Sequence, residues 1–165
     1  MIHILGEKSN SKLTGVQLGD SQPNAIDLRL GKVFAINKKP FELSEGFKKH
    51  RGSVEIDHDE DDWFHLEEGT YEVVMENIVT VGADEAGWVI TRSTLNRNGV
   101  FITSGLYDSG YYGVMAGAMH VCGGSAKIKK GTRVAQFLLF KAEALTRYNG
   151  SYGLNSEHDK KYIKE

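Results

Sequence analysis

Cysteine and proline are almost missing from this chain. Of its 165 residues only Cys122 carries a thiol, which rules out an internal disulfide and a thiolate zinc cluster and suits a reducing compartment. The two prolines, Pro23 and Pro40, both precede the half of the chain where short motifs gather. No apolar run approaches a membrane span, and Met1 to Lys8 holds too short an apolar run for a signal peptide, so a cytoplasmic protein is expected. A formal net charge of -2 gives no broad attraction to nucleic acid or an anionic membrane; neither is an expected partner, and any phosphate binding must be local. Helical periodicity is scarce too. No long segment repeats apolar residues at helical spacing with caps at both ends, although Ser93 to Asn98 reads as one turn after a Ser cap.

What is present is glycine and strand. Nineteen glycines exceed the roughly 7% of average proteins and imply many tight turns. Residues 70–75, 88–91, 99–102 and 133–140 are rich in β-branched and aromatic side chains. They predict an all-β chain, antiparallel in the main and closed as a jelly roll or distorted barrel. The length suits one domain over 1–165. Residues 44–62 are the least globular part. Their acidic block, Asp57 to Asp62, lacks the spaced ligands of a cation site and reads as a solvated loop. The polar tail from His158 reads as frayed or helical.

Three stretches bring chemistry-bearing side chains together. In Gly105-Leu106-Tyr107-Asp108-Ser109-Gly110-Tyr111-Tyr112-Gly113 an acid sits between glycines and beside aromatics, which suits placing a carboxylate next to a flat ring and a phosphate. A hairpin turn with two tyrosines on its faces explains the same residues. Arg92 and Arg97 supply fixed positive charge that holds phosphate oxygens in a fork, with Ser93 and Thr94 adding donors at the start of a turn. A capped turn with two exposed arginines is the competing reading. Gln136 lies inside an apolar strand, where its amide needs partners, and a core Gln bonded to backbone is equally compatible. Asp27 and Arg29 share one face of Ile26-Asp27-Leu28-Arg29-Leu30, as in a half-exposed strand.

The order of these motifs resembles the dUTPase and dCTP deaminase superfamily. Residues 25–31 are similar to its first motif, 92–99 to its second, the Asp108 segment to its third, 131–137 to its fourth and 148–153, more loosely, to its C-terminal one. Leu66 to Tyr71 and Glu76 to Ile78 fit the spacing of the deaminase branch. The resemblance implies the dUTPase-like barrel, a homotrimer with sites between subunits, and a C-terminal arm, about 147–165 here, that closes over nucleotide. It assigns Asp108 to the catalytic water and Tyr111 to the deoxyribose, where it excludes a 2′-hydroxyl. It gives Arg92, Ser93, Thr94, Arg97 and Gln136 to the phosphates, with Gly113, Tyr148, Tyr152 and Asp27 as further substrate-side residues. Where the deaminase branch has Lys in the arm, this chain has Ser151.

Two chemistries diverge at residue 118. Deaminating cytosine without zinc needs a proton-shuttling side chain, which the deaminase branch supplies as a Glu ten positions after the Asp. Here that position is Ala118, and Val114 to Val121 contains no carboxylate. His120 lies about 7 Å further along an extended chain, too far for direct replacement. The zinc route is excluded, since its His-x-Glu and Pro-Cys-x-x-Cys elements are absent. The expectation is therefore a dUTP diphosphatase giving dUMP and pyrophosphate. Mg²⁺ would be held mainly by the substrate phosphates, with no metal ligands from the chain. The alternatives are a dCTP deaminase, a diphosphatase for dCTP or a modified deoxynucleotide, and a regulatory trimer that binds nucleotide without turnover.

Overall fold

The structure is a computed structural model that describes residues 1–163; Lys164 and Glu165, the end of the expected arm, lie outside the described residues. Strands form where β-branched and aromatic residues gather. In chain order they are β1 (Lys12–Leu13), β2 (Ile26–Ile36), β3 (Glu42–Ser44), β4 (Phe47–Lys49), β5 (Ser53–Glu55), β6 (Trp63–Leu66), β7 (Gly69–Thr80) and β8 (Glu85–Thr91). After the short helix α1 (Ser93–Asn96) come β9 (Val100–Thr103), β10 (Leu106–Tyr107), β11 (Tyr112–Val121), β12 (Ala126–Lys129), β13 (Arg133–Lys141) and a last turn, α2 (Lys160–Ile163).

Among the described residues nine strands make one sheet, β10-β8-β13-β2-β7-β11-β9, with β1 added to β7 and β5 to β2. The path curls until β9 meets β8. Thr91 Oγ1 accepts the Ile102 N–H at 2.7 Å and donates to the Ile102 carbonyl at 3.0 Å. A bulge at Gly31 in β2 and a slip in β7, where Val74 to Ile78 face only Ala116 to Val114 of β11, supply the bend. This is the all-β barrel that the strand pattern predicts, and it shares the jelly-roll architecture expected above.

The core fills the inside of the curl with Leu28, Leu30, Val73, Met119, Phe137 and Leu139, all at or near zero exposure. Gly87 makes this possible at one point: a Cβ there would stand 2.1 Å from the Phe137 ring. Burying a ring of that size is worth about 1.5–3 kcal/mol. A second, outer cluster of Phe34, Val74, Val114 and Tyr162 seats the C-terminal segment on the sheet.

Within the least globular stretch, 42–49 fold back as the β3–β4 hairpin and 53–55 pair with β2, while the acidic block 57–62 is an exposed loop. Two local expectations change. Strand β2 is not half-exposed: Asp27 is fully buried, because Gln22, Arg92 and Arg133 cover its polar face. The turn at 93 is capped by Arg92 rather than by a serine, and Ser93 is its first helical residue. In the acidic block Asp59 is a turn former. Its Oδ1 accepts the N–H groups of Asp61 and Trp63, and the bond from His65, with that of Trp63, holds its carboxyl at about 2.

Candidate active site

The Asp108 turn joins β10 to β11. Asp108 heads the turn, exposed, with its carbonyl accepting the Tyr111 N–H at 3.0 Å. The next residue fixes it in place. Buried Ser109 donates to the Glu85 carbonyl at 2.6 Å and accepts the Glu85 N–H at 3.2 Å, which clips the turn to the start of β8. Glu85 itself is fully buried, its carboxylate taking the Asn10 N–H at 2.8 Å, the Ser11 hydroxyl and Lys141 at 2.7 Å.

Tyr111 faces a cavity of about 360 Å³ whose walls include Tyr107, Ala116, Gly117 and Tyr148. Its hydroxyl donates to the Val114 carbonyl at 2.8 Å, and its ring meets Tyr107 and Tyr148 edge-on at 5.2 and 5.3 Å. Burial pushes this hydroxyl well above the ordinary tyrosine value, so it remains a neutral donor. Gly113 carries no side chain at a crowded point. A Cβ there would fall 2.6 Å from the Tyr111 hydroxyl and 2.8 Å from the Cα of Gly153, so its bareness lets the C-terminal segment cross β11. Asp108 does not line this cavity.

The C-terminal segment closes the cavity's far side. It runs past the turn, with the Tyr148 N–H on the Ser109 carbonyl at 2.8 Å, and contributes Tyr152, His158, Asp159 and Tyr162 to the walls. Its anchor is Glu72, which stands opposite Ala118 in the β7–β11 ladder. The two oxygens of Glu72 receive Lys161 at 2.8 and 3.0 Å, Ser53 at 2.6 Å and the Tyr162 hydroxyl. Burial pushes this carboxyl up, but the bonds from Lys161, Ser53 and Tyr162 outweigh that and hold it below the usual glutamate range.

The expected phosphate side is a separate cluster. Gln136 lies across the β13–β2 ladder from Asp27 and donates to its Oδ1 at 2.9 Å; Arg92 and Arg133 each stand 3.4 Å from its Oδ2. Two guanidinium groups share one buried carboxylate on a partly exposed surface, and the second buried carboxylate beside them, Asp20, is paired with Arg29 at 2.6 Å. Ser93, Thr94 and Arg97 are exposed beside them. Within one chain this cluster does not reach Asp108. The β8–β10 register places Asp108 beside Ala86, and Arg92 follows six residues later, about 20 Å away at strand rise.

Arg133, Ser109 and Glu72 escaped the sequence reading. The register supplies the missing signal: Gln136 opposite Asp27 draws in Arg133, and Glu72 opposite Ala118 puts a carboxylate where its own strand appears merely alternating.

Residues 3–142 match the family model described as dCTP deaminase-like. A probable deoxyuridine 5′-triphosphate nucleotidohydrolase of Methanopyrus kandleri is 33% identical over 136 residues, covering 80% of this chain and 86% of that protein. Its counterpart in Methanosarcina acetivorans is 29% identical over 137 residues, 79% of each chain. A dCTP deaminase of Acidianus ambivalens is 31% identical over 135 residues, 78% of this chain and 75% of that one. Among solved structures, the 2′-deoxycytidine 5′-triphosphate deaminase from Agrobacterium tumefaciens shares the fold at a TM-score of 0.60 and 19% identity. It matches 82% of this chain, which spans 45% of that longer protein. The dUTPase from phage phi11 of S. aureus superposes with a TM-score of 0.53 at 10% identity, over 88% of this chain and 98% of that one.

Proposed function

The chain belongs to the dCTP deaminase-like family, and we propose that within it the protein is a dUTP diphosphatase, cleaving dUTP to dUMP and pyrophosphate. The observation that carries this choice is the state of the ladder around Ala118. Position 118 has no carboxylate, and the carboxylate that faces it, Glu72, is tied on both oxygens to Lys161, Ser53 and Tyr162. A group so held, with its carboxyl below the usual glutamate range, does not pick up and pass on protons near neutral pH, which deamination requires. Hydrolysis needs no such shuttle. The names of the archaeal relatives, probable deoxyuridine triphosphate nucleotidohydrolases, support the same choice.

In this reading Asp108 orients a water and takes its proton as the water attacks the α-phosphorus, while pyrophosphate leaves. Tyr111 lies against the deoxyribose, and the start of β11 reads the base. Arg92, Arg97, Gln136, Ser93 and Thr94 hold the phosphates, and Asp27 aims Arg92 and Gln136. Mg²⁺ arrives with the nucleotide as part of the substrate and offsets phosphate charge. That suits a cluster whose buried carboxylates are already committed, Asp27 to Arg92, Arg133, Gln136 and Gln22 and Asp20 to Arg29. The separation of about 20 Å between Asp108 and Arg92 supports a site shared between copies in a homotrimer, one chain giving the Asp108 turn and its neighbour the arginine cluster.

The test is a panel of deoxynucleoside triphosphates with Mg²⁺, assayed separately for pyrophosphate and ammonia. Pyrophosphate from dUTP is expected. Ammonia from dCTP overturns the choice in favour of a deaminase, and saturable binding with neither product makes the protein a nucleotide-binding module.

A further inference from the structure

The cavity beside Tyr111 does not stand alone. A second cavity, of about 500 Å³, begins at His50, Glu72, Gly117 and His158, the four residues that line both, and continues over Ala118 toward Arg51 and Phe41. Where the two meet, the floor is Gly117, followed by the methyl of Ala118, and the walls are Glu72 and the ring pair of His50 and His158, whose centroids are 4.8 Å apart. On the dUTPase reading, which seats the sugar against Tyr111, a pyrimidine directed toward Ala116 and Gly117 turns its far edge, carbons C4 and C5, to the second cavity.

The charge in that cavity is uneven. Lys161 is spent on Glu72, with bonds of 2.8 and 3.0 Å, whereas the exposed guanidinium of Arg51 stands at the end of the passage. A guanidinium there favours an acidic group and disfavours a cationic one. We propose that the site accepts pyrimidine deoxynucleoside triphosphates enlarged at C5 by an acidic substituent, which threads past Gly117 and Ala118 to reach Arg51. The placement of the sugar rests on the dUTPase reading above.

Three nucleotides test it: dUTP, dUTP bearing a carboxyvinyl group at C5, and dUTP bearing an aminoallyl group at C5. Each is assayed for pyrophosphate release and, as its α,β-imido analogue, for affinity by calorimetry, on the wild-type protein and on Arg51→Glu. Wild type is expected to process the carboxyvinyl nucleotide with a kcat/KM within about tenfold of dUTP and to disfavour the aminoallyl one. Arg51→Glu is expected to reverse the order of the two substituted nucleotides, by about tenfold in each, and to leave dUTP unchanged. Turnover of dUTP without binding or turnover of the carboxyvinyl nucleotide overturns the inference and leaves the dUTPase reading standing. An unchanged order in Arg51→Glu also overturns it. Should no nucleotide be hydrolysed, the dUTPase reading fails, and the calorimetric ranking alone decides the inference.

Discussion

Replacing the Asp108 carboxylate by an amide keeps its size and hydrogen-bonding reach but removes its ability to take a proton. Because Asp108 is exposed at the head of its turn and only its backbone carbonyl takes part in the turn bond, Asp108→Asn leaves the fold intact. If it acts as base, the variant binds dUTP normally and loses about 10²–10⁴-fold in turnover, as single-turnover pyrophosphate release and calorimetry will report. Ser109 is the structural counterpart. Its hydroxyl satisfies both the N–H and the carbonyl of buried Glu85, so Ser109→Ala strands two backbone groups. A loss of about 1–3 kcal/mol is expected in denaturant titrations, with turnover falling as the Asp108 turn loosens. Neither half of this pair was equally legible. An acid between glycines announces itself in a sequence, whereas a serine that clips a turn to a distant strand needs the fold to bring Glu85 alongside.

Strands declared themselves according to what covers them. The strands β7, β8, β9 and β13 are readable because their β-branched and aromatic residues cluster; the fold lengthens β7, β8 and β13 and shifts β9 by one residue. The first motif misled, since alternation in β2 normally means one wet face, and here arginines from β13 and the loop before α1 dry it. The C-terminal segment reads in the sequence as an arm with a frayed or helical tail, and α2 bears out the helical turn but not where it sits. Its seat depends on Glu72, a residue some ninety positions away in sequence from Lys161 and Tyr162. That seat makes an element-level prediction. Lys161→Met removes charge-assisted bonds worth about 1.5–3 kcal/mol and frees the segment, which raises KM for nucleotide by about tenfold while kcat holds. Limited proteolysis should then cut near 153–163, and an uncut segment with an unchanged KM would deny the anchor. The pH dependence has a defined sign. The folded state lowers the Glu72 pKa, so the anchor's contribution is complete above the ordinary glutamate value and is lost as pH falls through the lowered one. Protection factors for the amides of 153–163, corrected for the intrinsic pH dependence of exchange, should therefore fall on the acid side and stay flat around neutrality.

At the scale of the molecule, the two halves of the candidate site stand at opposite ends of β8. The sequence places both motifs in the right order, but order along a chain does not reveal that a single copy keeps them about 20 Å apart; only the strand register does. A site shared between copies turns that separation into a test that a site within one chain fails. Asp108→Asn and Arg92→Ala subunits are each inactive alone. When they are co-refolded in equal amounts, some sites pair the intact Asp108 of one subunit with the intact Arg92 of its neighbour. Random assembly of a cyclic trimer makes about a quarter of all sites whole, so the mixture should recover about a quarter of wild-type turnover. Light scattering on the same samples fixes the copy number. Activity that stays at the level of the separate variants, in particles shown to be mixed, would mean that each chain completes its own site. The Asp108 turn and the arginine cluster would then have to approach through a rearrangement of the barrel, which the Thr91 to Ile102 closure between β8 and β9 opposes.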